Sequence, residues 1–500
     1  MVSFEKCIKF LTISPKIIMN TTDKIIGRDN EKAIFKQLLN SNQAEFLVMY
    51  GRRRVGKTFA IRQYFQSQFV MEFAGSNQED TSIQLFNFNK ELSRYAGEGF
   101  KNPKAENWAE AFANLTDYLY SIEKKDDKMV IFIDEMPWLD THKSGFVPAL
   151  DYFWNQHGSK MDHLLLIVCG SAASWIQKNL INAQGGLYNR VTKRIHLQPF
   201  TLNETEEFCV SKNLKFTRYQ IIQLYMAMGG IPFYLKELEQ RKSVSQLIDQ
   251  ICFKTGGLLT DEFLPLYYSL FYNAENHLKI VETLANYPYG VTRKELVEKS
   301  GLSDGGTLNR TIENLMDSGF IMEIVPFGKK VKDKIYRIID LYSIFYLRFI
   351  KGNVTNRANV WESLATESNY SSWSGYAFEN ICLLHLDQIH KKLGISGVYT
   401  QTSSWRYKGD LEMEGSQVDL VIDRKDGIIH LCEAKFSSKD YLLTKDYTAK
   451  LRKRRAIFEY ATKTKKSVVS SLITTYSAIK NAYYLEEIHS EIEMGDLFEG

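Results

Sequence analysis

Paired cysteines are missing from this 500-residue sequence: Cys7, Cys169, Cys209, Cys252, Cys382 and Cys432 are scattered, and no two form a C-x-x-C pair. That pattern argues against a disulfide framework or a zinc site and fits a reducing cytosol. Cys169 and Cys432 fall in apolar runs that read as buried strands, where cysteine acts as a small hydrophobe. Long apolar runs are missing too. Leu164 to Val168 is strand-sized, far short of the ~20 residues a membrane helix needs. Met1 to Ile18 holds lysines and a short apolar stretch but no small-residue cleavage site, so it does not read as a signal peptide. Residues 1–19 are expected to be an extension ahead of the ordered pattern. Charge of one sign is also scarce. The net charge of +4 is nearly balanced, so any anionic partner must be met by local basic surface. The expectation is a cytoplasmic protein without membrane contact.

What is present is ordinary globular composition, 44% hydrophobic and 24% charged, on a chain too long for one core. Three or four domains are expected.

The apolar run Phe46 to Tyr50 leads into Gly51-Arg52-Arg53-Arg54-Val55-Gly56-Lys57-Thr58, a G-x-x-x-x-G-K-T loop. Gly51 and Gly56 let backbone N–H groups turn toward phosphates. Lys57 adds a point charge, and Thr58 offers a hydroxyl to Mg²⁺. Phe59 to Phe65 reads as a helix whose N-terminal dipole also favours an anion. A second strand, Met129 to Ile133, ends in Asp134 and Glu135. Asp134 can hold Mg²⁺ through water, and Glu135 can polarise an attacking water. A third strand, His163 to Cys169, ends in Gly170 and Ser171, and Ser171 is the candidate γ-phosphate sensor. Arg190 or Arg194, after Gly185-Gly186, could serve as an arginine finger. Gly27, Arg28 and Glu31 precede a helical pattern at the front.

The order Gly27-Arg28-x-x-Glu31, Gly51–Thr58, Asp134-Glu135-Met136-Pro137-Trp138-Leu139, Cys169-Gly170-Ser171, Gly229-Gly230-Ile231-Pro232 resembles the prokaryotic AAA-type ATPases of the archaeal ATPase family, relatives of the STAND NTPases. The resemblance covers roughly residues 20–350. It implies ATP and Mg²⁺ as cofactors, with Gly27 and Arg28 near the nucleotide. It also implies a small helical lid whose Gly229–Pro232 segment approaches the nucleotide.

Residues 277–340 show three helical patterns. The second begins with a Thr292-x-x-Glu295 capping box. A strand, a turn carrying Lys329, Lys330, Lys332 and Lys334, and a further strand follow. That order predicts a winged helix, with the lysine turn as its wing. Contact with DNA and contact with a protein partner are both open for this unit. Asp340 to Arg348 reads as an amphipathic helix, and Asn353 to Asn359 as a polar linker.

In the last third, Gly375 to Leu384 is strongly helical and contains Glu379. Gln417 to Asp423 reads as a strand, Asp426-Gly427 as a hairpin turn, and Ile428 to Phe436 as the returning strand. Period-two alternation puts Glu433 and Lys435 on one face. With Asp419 beside that face, carboxylates and an ammonium converge and could hold metal. The Asp419…Glu433-x-Lys435 spacing resembles the PD-(D/E)XK nuclease superfamily. With Gly375-x-x-Phe378-Glu379 in front, it resembles the nuclease-like domain often fused to these ATPases. The resemblance implies Glu379, Asp419 and Glu433 as metal ligands, with Asp419, Glu433 and Lys435 catalytic. Val418 stands where the superfamily often has proline. The same fold without activity is the other reading. The run Lys450 to Arg455 would offset phosphate charge beside such a site.

The expectation is therefore an α/β multidomain chain. Residues 20–200 form a P-loop parallel-sheet ATPase core, 201–270 a helical lid and 271–352 a winged helix. Residues 360–500 form a restriction-endonuclease-like α/β domain. ATP hydrolysis would use Lys57, Thr58, Asp134, Glu135, Ser171 and Arg190. DNA is the expected partner, and a homo-oligomer is compatible.

Overall fold

The computed structural model describes residues 24–77, 79–122, 127–181, 187, 189–271 and 273–500. The expected extension at 1–19, Cys7 and the Gly185-Gly186 pair lie outside the described residues.

Five strands build the first sheet: β1 (Glu45–Tyr50), β2 (Phe69–Ala74), β3 (Met129–Asp134), β4 (Leu164–Gly170) and β5 (Lys193–His196). Their order is β2-β3-β4-β1-β5, and every pairing is parallel. A parallel sheet is covered on both faces, which is why its central strands read as unbroken apolar runs. Alternation still sorts their side chains. Leu47, Met49, Val130, Phe132, Leu165 and Ile167 enter one core, whereas Phe46, Val48, Ile131, Ile133, Leu166 and Val168 enter another. The strands β1, β3 and β4 are adjacent. The loop after β1, the acidic pair after β3 and Ser171 after β4 therefore meet at one sheet edge.

Helices Leu202–Ser211 and Arg218–Met228 follow, each opened by a capping box, from Thr201/Glu204 and Thr217/Gln220. After shorter helices at Pro232–Leu235, Val244–Ile248 and Phe263–Tyr268 come helix Ala274–Ala285, β6 (Val291–Thr292), helices Arg293–Ser300 and Gly306–Asp317, then β7 (Ile321–Ile324) and β8 (Ile335–Ile338). The last three strands form a small antiparallel sheet, ordered β6-β8-β7. The expected helix after it runs Leu341–Phe345 and continues as a wider turn through Ile350.

The stretch expected to be a linker is tied down instead. Thr355 N donates to Phe253 O at 2.9 Å, and Asp249 accepts the backbone N–H groups of Asn359 and Trp361, each at 2.9 Å.

The C-terminal unit has helix Ser368–Leu384, then β9 (Thr400–Tyr407), β10 (Ser416–Arg424) and β11 (Ile428–Lys435). Helix Lys445–Thr462, β12 (Ser467–Thr474) and β13 (Ile488–Glu493) complete it. The sheet order is β13-β12-β11-β10-β9. β9, β10 and β11 are antiparallel neighbours, whereas β12 and β13 join in parallel. The Asp426-Gly427 hairpin stands, with Gly427 at φ 96°.

These units are not separate globules. One apolar cluster runs from Phe35 through Tyr234 and Tyr342 to Phe378 and Phe498. Tyr219 stacks on Phe436 with ring centroids 5.0 Å apart, and Leu202 N donates to His385 Nε2 at 3.0 Å. No helix among the described residues is long and apolar enough to cross a membrane.

Candidate functional site

The loop between β1 and helix Lys57–Phe65 is held from below and from the side. Gly51 has φ 141°, and a Cβ there would lie 2.4 Å from Leu197 O, so only glycine fits. The Lys57 ammonium is buried and donates to Gly51 O at 2.8 Å and Arg52 O at 2.9 Å. Those two carbonyls occupy the donors that a phosphate would otherwise receive. Gly56, at φ 95°, caps the start of the helix in the left-handed region.

Thr58 Oγ1 donates to Asp134 Oδ2 at 2.8 Å. Asp134 Oδ1 accepts the Glu135 N–H at 2.9 Å. Glu135 itself takes φ 43°, left-handed for a non-glycine residue, which directs its carboxylate to the neighbouring strand. There Ser171 donates to Glu135 Oε2 twice, from N at 3.1 Å and from Oγ at 2.9 Å. Lys57, Thr58, Asp134, Glu135 and Ser171 thus form one cluster at the edge of three adjacent strands. A hydroxyl beside a carboxylate is an all-oxygen donor set that suits Mg²⁺.

Gly27 and Arg28 bind the loop from beneath. The Arg28 guanidinium donates to Val55 O at 3.1 Å and lies 4.6 Å from the Phe200 ring centre, while its backbone N–H donates to Glu204 Oε1 at 2.8 Å. Gly27 admits that contact, because a Cβ there would lie 2.6 Å from Glu204 Cγ. The Gly229–Pro232 segment reaches the loop indirectly. Gly230 O accepts from Phe200 N at 2.8 Å, and Phe233 lies 4.3 Å from the Arg54 guanidinium. Arg190 is exposed, in a turn just before β5.

Two loop arginines have partners that local sequence does not reveal. Arg52 donates to Asp340, 288 residues away and just past β8, and the two side chains are 4% and 1% exposed. Arg54 pairs with Glu262 at 2.8 Å. Three consecutive arginines in a phosphate loop were the available signal, because buried guanidinium groups require counter-charges.

A second constellation lies in the C-terminal unit. A cavity of about 250 Å³ is lined by Glu379, Asp419, Glu433, Lys435, Arg454 and, from β8, Arg337. Alternation along β11 brings Lys435 Nζ to 2.6 Å from Glu433 Oε1. Glu433 also accepts from Tyr447 OH and Arg454 Nη1. Burial would raise Glu433, but Arg454 and Lys435 outweigh it and hold its pKa low. Asp419 Oδ1 accepts from Gln417 Nε2 at 2.6 Å, and burial raises its pKa. Glu379 accepts from Arg337 Nη2 at 3.2 Å, and burial followed by the charge of Asp419 pushes it up to about 7.

Glu379, Asp419 and Glu433 share the cavity, but among the described residues no three such side chains form a group able to hold a metal ion. Both oxygens of Glu433 are taken, by Lys435, Tyr447 and Arg454, while Glu379 Oε2 accepts from Arg337 and Asp419 Oδ1 from Gln417, so the group does not fit a divalent ion as it stands. The basic run has carboxylate partners within the chain. Arg452 pairs with Glu486 and Glu487, Lys453 with Glu414, Arg454 with Glu433 and Arg455 with Glu487. That face is largely neutralised from within.

Residues 26–238 match a family described as an ATPase domain predominantly from Archaea. The chain is 24% identical over 406 residues to the uncharacterized protein MJECL04 of Methanocaldococcus jannaschii, covering 79% of this chain and 83% of that one. It is 33% identical over 45 residues to the uncharacterized ATP-binding protein MJ0423 of the same organism, covering 9% of this chain and 76% of that one. Among solved structures it is similar to the Walker-type ATPase PABY2304 of Pyrococcus abyssi. That match has a TM-score of 0.49 and 18% identity, over 65% of this chain and 96% of that one.

Proposed function

We propose that this chain, an ATP-hydrolysing enzyme with an archaeal-type ATPase domain over residues 26–238, uses ATP to control a C-terminal unit that acts on DNA. The observation that carries the reading is the bonded chain Thr58–Asp134–Glu135–Ser171 beside Lys57, on a loop whose Arg52 and Arg54 pair with Asp340 and Glu262.

In this reading Lys57 leaves the carbonyls of Gly51 and Arg52 for the β- and γ-phosphates. Thr58 and Asp134 would hold Mg²⁺, which when bound offsets phosphate charge. Glu135 orients and polarises the attacking water. Ser171, on the same carboxylate, senses whether the γ-phosphate is present. Arg190 is the candidate finger for transition-state charge.

Residues 274–338 are read as a winged helix, because helix–strand–helix–helix–strand–strand is its order. Its candidate DNA-facing groups are Asn309 and Arg310 on the third helix and Lys329, Lys330 and Lys332 on the turn, all exposed. Asn314 is turned inward toward His277 Nε2 at 3.3 Å, and Lys334 pairs with Glu323. Residues 360–500 are read as a PD-(D/E)XK-like domain from the helix, the three antiparallel strands and the helix–strand that follow.

A second reading has its own support. Glu433 is saturated by Arg454, Lys435 and Tyr447, which favours a C-terminal unit that binds without cutting. The chain would then be a nucleotide-switched regulatory protein.

Lys57→Ala is expected to abolish ATP turnover, and unchanged turnover rejects the assignment of the loop. Incubation of plasmid DNA with the chain, Mg²⁺ or Mn²⁺, and ATP separates the two readings. Intact DNA alongside sustained ATP hydrolysis rejects cutting. Cleavage that survives Asp419→Ala with Glu433→Ala rejects the site.

A further inference from the structure

We infer that His385, in the C-terminal unit, is a positioning residue for ATP: its imidazole completes the cap of the helix that holds the phosphate loop, so tight nucleotide binding needs the C-terminal unit in place. The inference rests on the reading of residues 51–58 as the phosphate-binding loop. His385 lies outside the matched ATPase domain, which ends at residue 238.

His385 follows helix Ser368–Leu384 and is 1% exposed. Its two partners fix its tautomer. Ile381 O can only accept, so Nδ1 carries the proton and donates to it at 2.8 Å. The Leu202 N–H can only donate, so Nε2 is the acceptor, at 3.0 Å. Burial pushes the imidazole down to about 4, which keeps Nε2 unprotonated at neutral pH.

Leu202 is the first residue of helix Leu202–Ser211, where backbone N–H groups have no partner within the helix. The capping box satisfies two of its neighbours. Thr201 Oγ1 accepts from Glu204 N at 3.2 Å, and Glu204 Oε2 accepts from Thr201 N at 2.9 Å. Leu202 is 0% exposed, so its N–H depends on His385 rather than on solvent.

The same Glu204 grips the nucleotide side. Its Oε1 accepts from Arg28 N at 2.8 Å, and Arg28 Nη1 lies 3.9 Å from its Oε2. Arg28 Nη2 donates to Val55 O at 3.1 Å, one residue before Gly56. One carboxylate thus joins the helix start to the loop, and His385 completes that start from the C-terminal unit. Without the imidazole a buried N–H is left unsatisfied in the turn that carries Glu204, and the turn must shift to find an acceptor. Other contacts keep the C-terminal unit docked when His385 is changed. Tyr219 stacks on Phe436 at 5.0 Å, and the Arg218 guanidinium lies 4.9 Å from the Phe498 ring centre.

The test is phosphate release by the full chain across ATP concentrations. His385→Leu is expected to raise KM about tenfold with kcat within about twofold, because the hold on ATP weakens while the water-activating groups are untouched. His385→Gln, whose amide oxygen can replace Nε2 as acceptor, is expected to keep KM within about threefold of the wild type. Leu202→Pro removes the donor, leaves His385 in place and suits the first position of a helix, so it should repeat the rise. Adding His385→Leu to Glu204→Gln should raise KM no further than the worse single variant, because both act through one contact chain. An unchanged KM in His385→Leu and Leu202→Pro overturns the inference, and Leu202→Pro alone decides it if His385→Leu does not fold. A KM that His385→Gln fails to restore, or that multiplies in the double variant, makes His385 a packing residue and also overturns it. Unchanged turnover in Lys57→Ala instead rejects the loop reading beneath it.

Discussion

Breaking the Arg52–Asp340 pair should cost far more than its single hydrogen bond suggests. Asp340→Asn leaves the Arg52 guanidinium, 4% exposed, without a counter-ion. Removing one partner of a buried pair typically costs about 3–5 kcal/mol, because the other charge stays desolvated. Little else nearby can compensate. Arg52 Nε and Nη2 already lack partners, and the Phe320 ring, 4.7 Å from the guanidinium carbon, contributes on the order of 1 kcal/mol. Asparagine can still accept from Ser343 N, where Asp340 Oδ2 accepts at 3.0 Å. The expected loss is therefore near the lower end, about 3 kcal/mol. Asp340→Ala should lose roughly 1 kcal/mol more, since the helix at Leu341 also loses its cap.

The charge origin of the effect is read from the double variant. Arg52→Met with Asp340→Leu removes both charges and fills their volume, and such replacements are often neutral or stabilising. The pair should restore most of the loss. Urea unfolding followed by tryptophan fluorescence reports on this region, because Trp361 and Trp373 lie 5.0 Å and 5.3 Å from Phe345 on the helix that Asp340 caps. An Asp340→Asn midpoint equal to that of the wild type, or a double variant whose loss equals the sum of the two singles, would refute the reasoning.

Glu135→Gln should lower ATP turnover by about 10²–10⁴-fold while nucleotide binding persists, read by phosphate release beside a fluorescent-nucleotide titration; undiminished turnover removes Glu135 from the water-activating role. Gly51→Ala should weaken ATP binding, since its methyl group would meet Leu197 O at 2.4 Å, and calorimetry with an unchanged affinity would count against the loop geometry. Burial, and then Asp419, raise Glu379 from 4.5 to about 7, so its carboxyl favours the folded chain fully below about pH 4.5 and loses that contribution as pH rises through 7. Wild-type stability relative to Glu379→Gln should therefore fall over that window by on the order of 3 kcal/mol, and a pH-independent difference in urea midpoints would contradict it.

The cluster of Thr58, Asp134, Glu135 and Ser171 was legible in the sequence because its polar groups sit at the ends of unbroken apolar strands. Burial on both faces forces Met129 to Ile133 and Leu164 to Cys169 to be apolar, so the polar residues that end them, Asp134, Glu135 and Ser171, stand out. The hairpin at Asp426-Gly427 and the shared face of Glu433 and Lys435 were legible for the same reason, as local turn chemistry and strand alternation. Partners in long-range ion pairs follow no local period. Arg52 meets Asp340 across 288 residues, and Arg337 meets Glu379 from another sheet. The partners of the run Lys450 to Arg455 were not legible either, because a basic helix looks the same in sequence whether it faces phosphate or carboxylate. Its neutralising partners Glu414, Glu433, Glu486 and Glu487 come from separate stretches of chain.

The three arginines of the loop now divide by task. Arg53 is exposed, whereas Arg52 and Arg54 pair with Asp340 and Glu262. A loop built only to hold phosphate would gain from leaving all three toward the anion. Desolvating two of them is costly unless partners from distant segments are already in place, so the loop reaches this shape only when residues 262 and 340 are docked. The same docking sets Arg337 against Glu379. Phosphates placed on Lys57 would compete for the bonds that brace this loop.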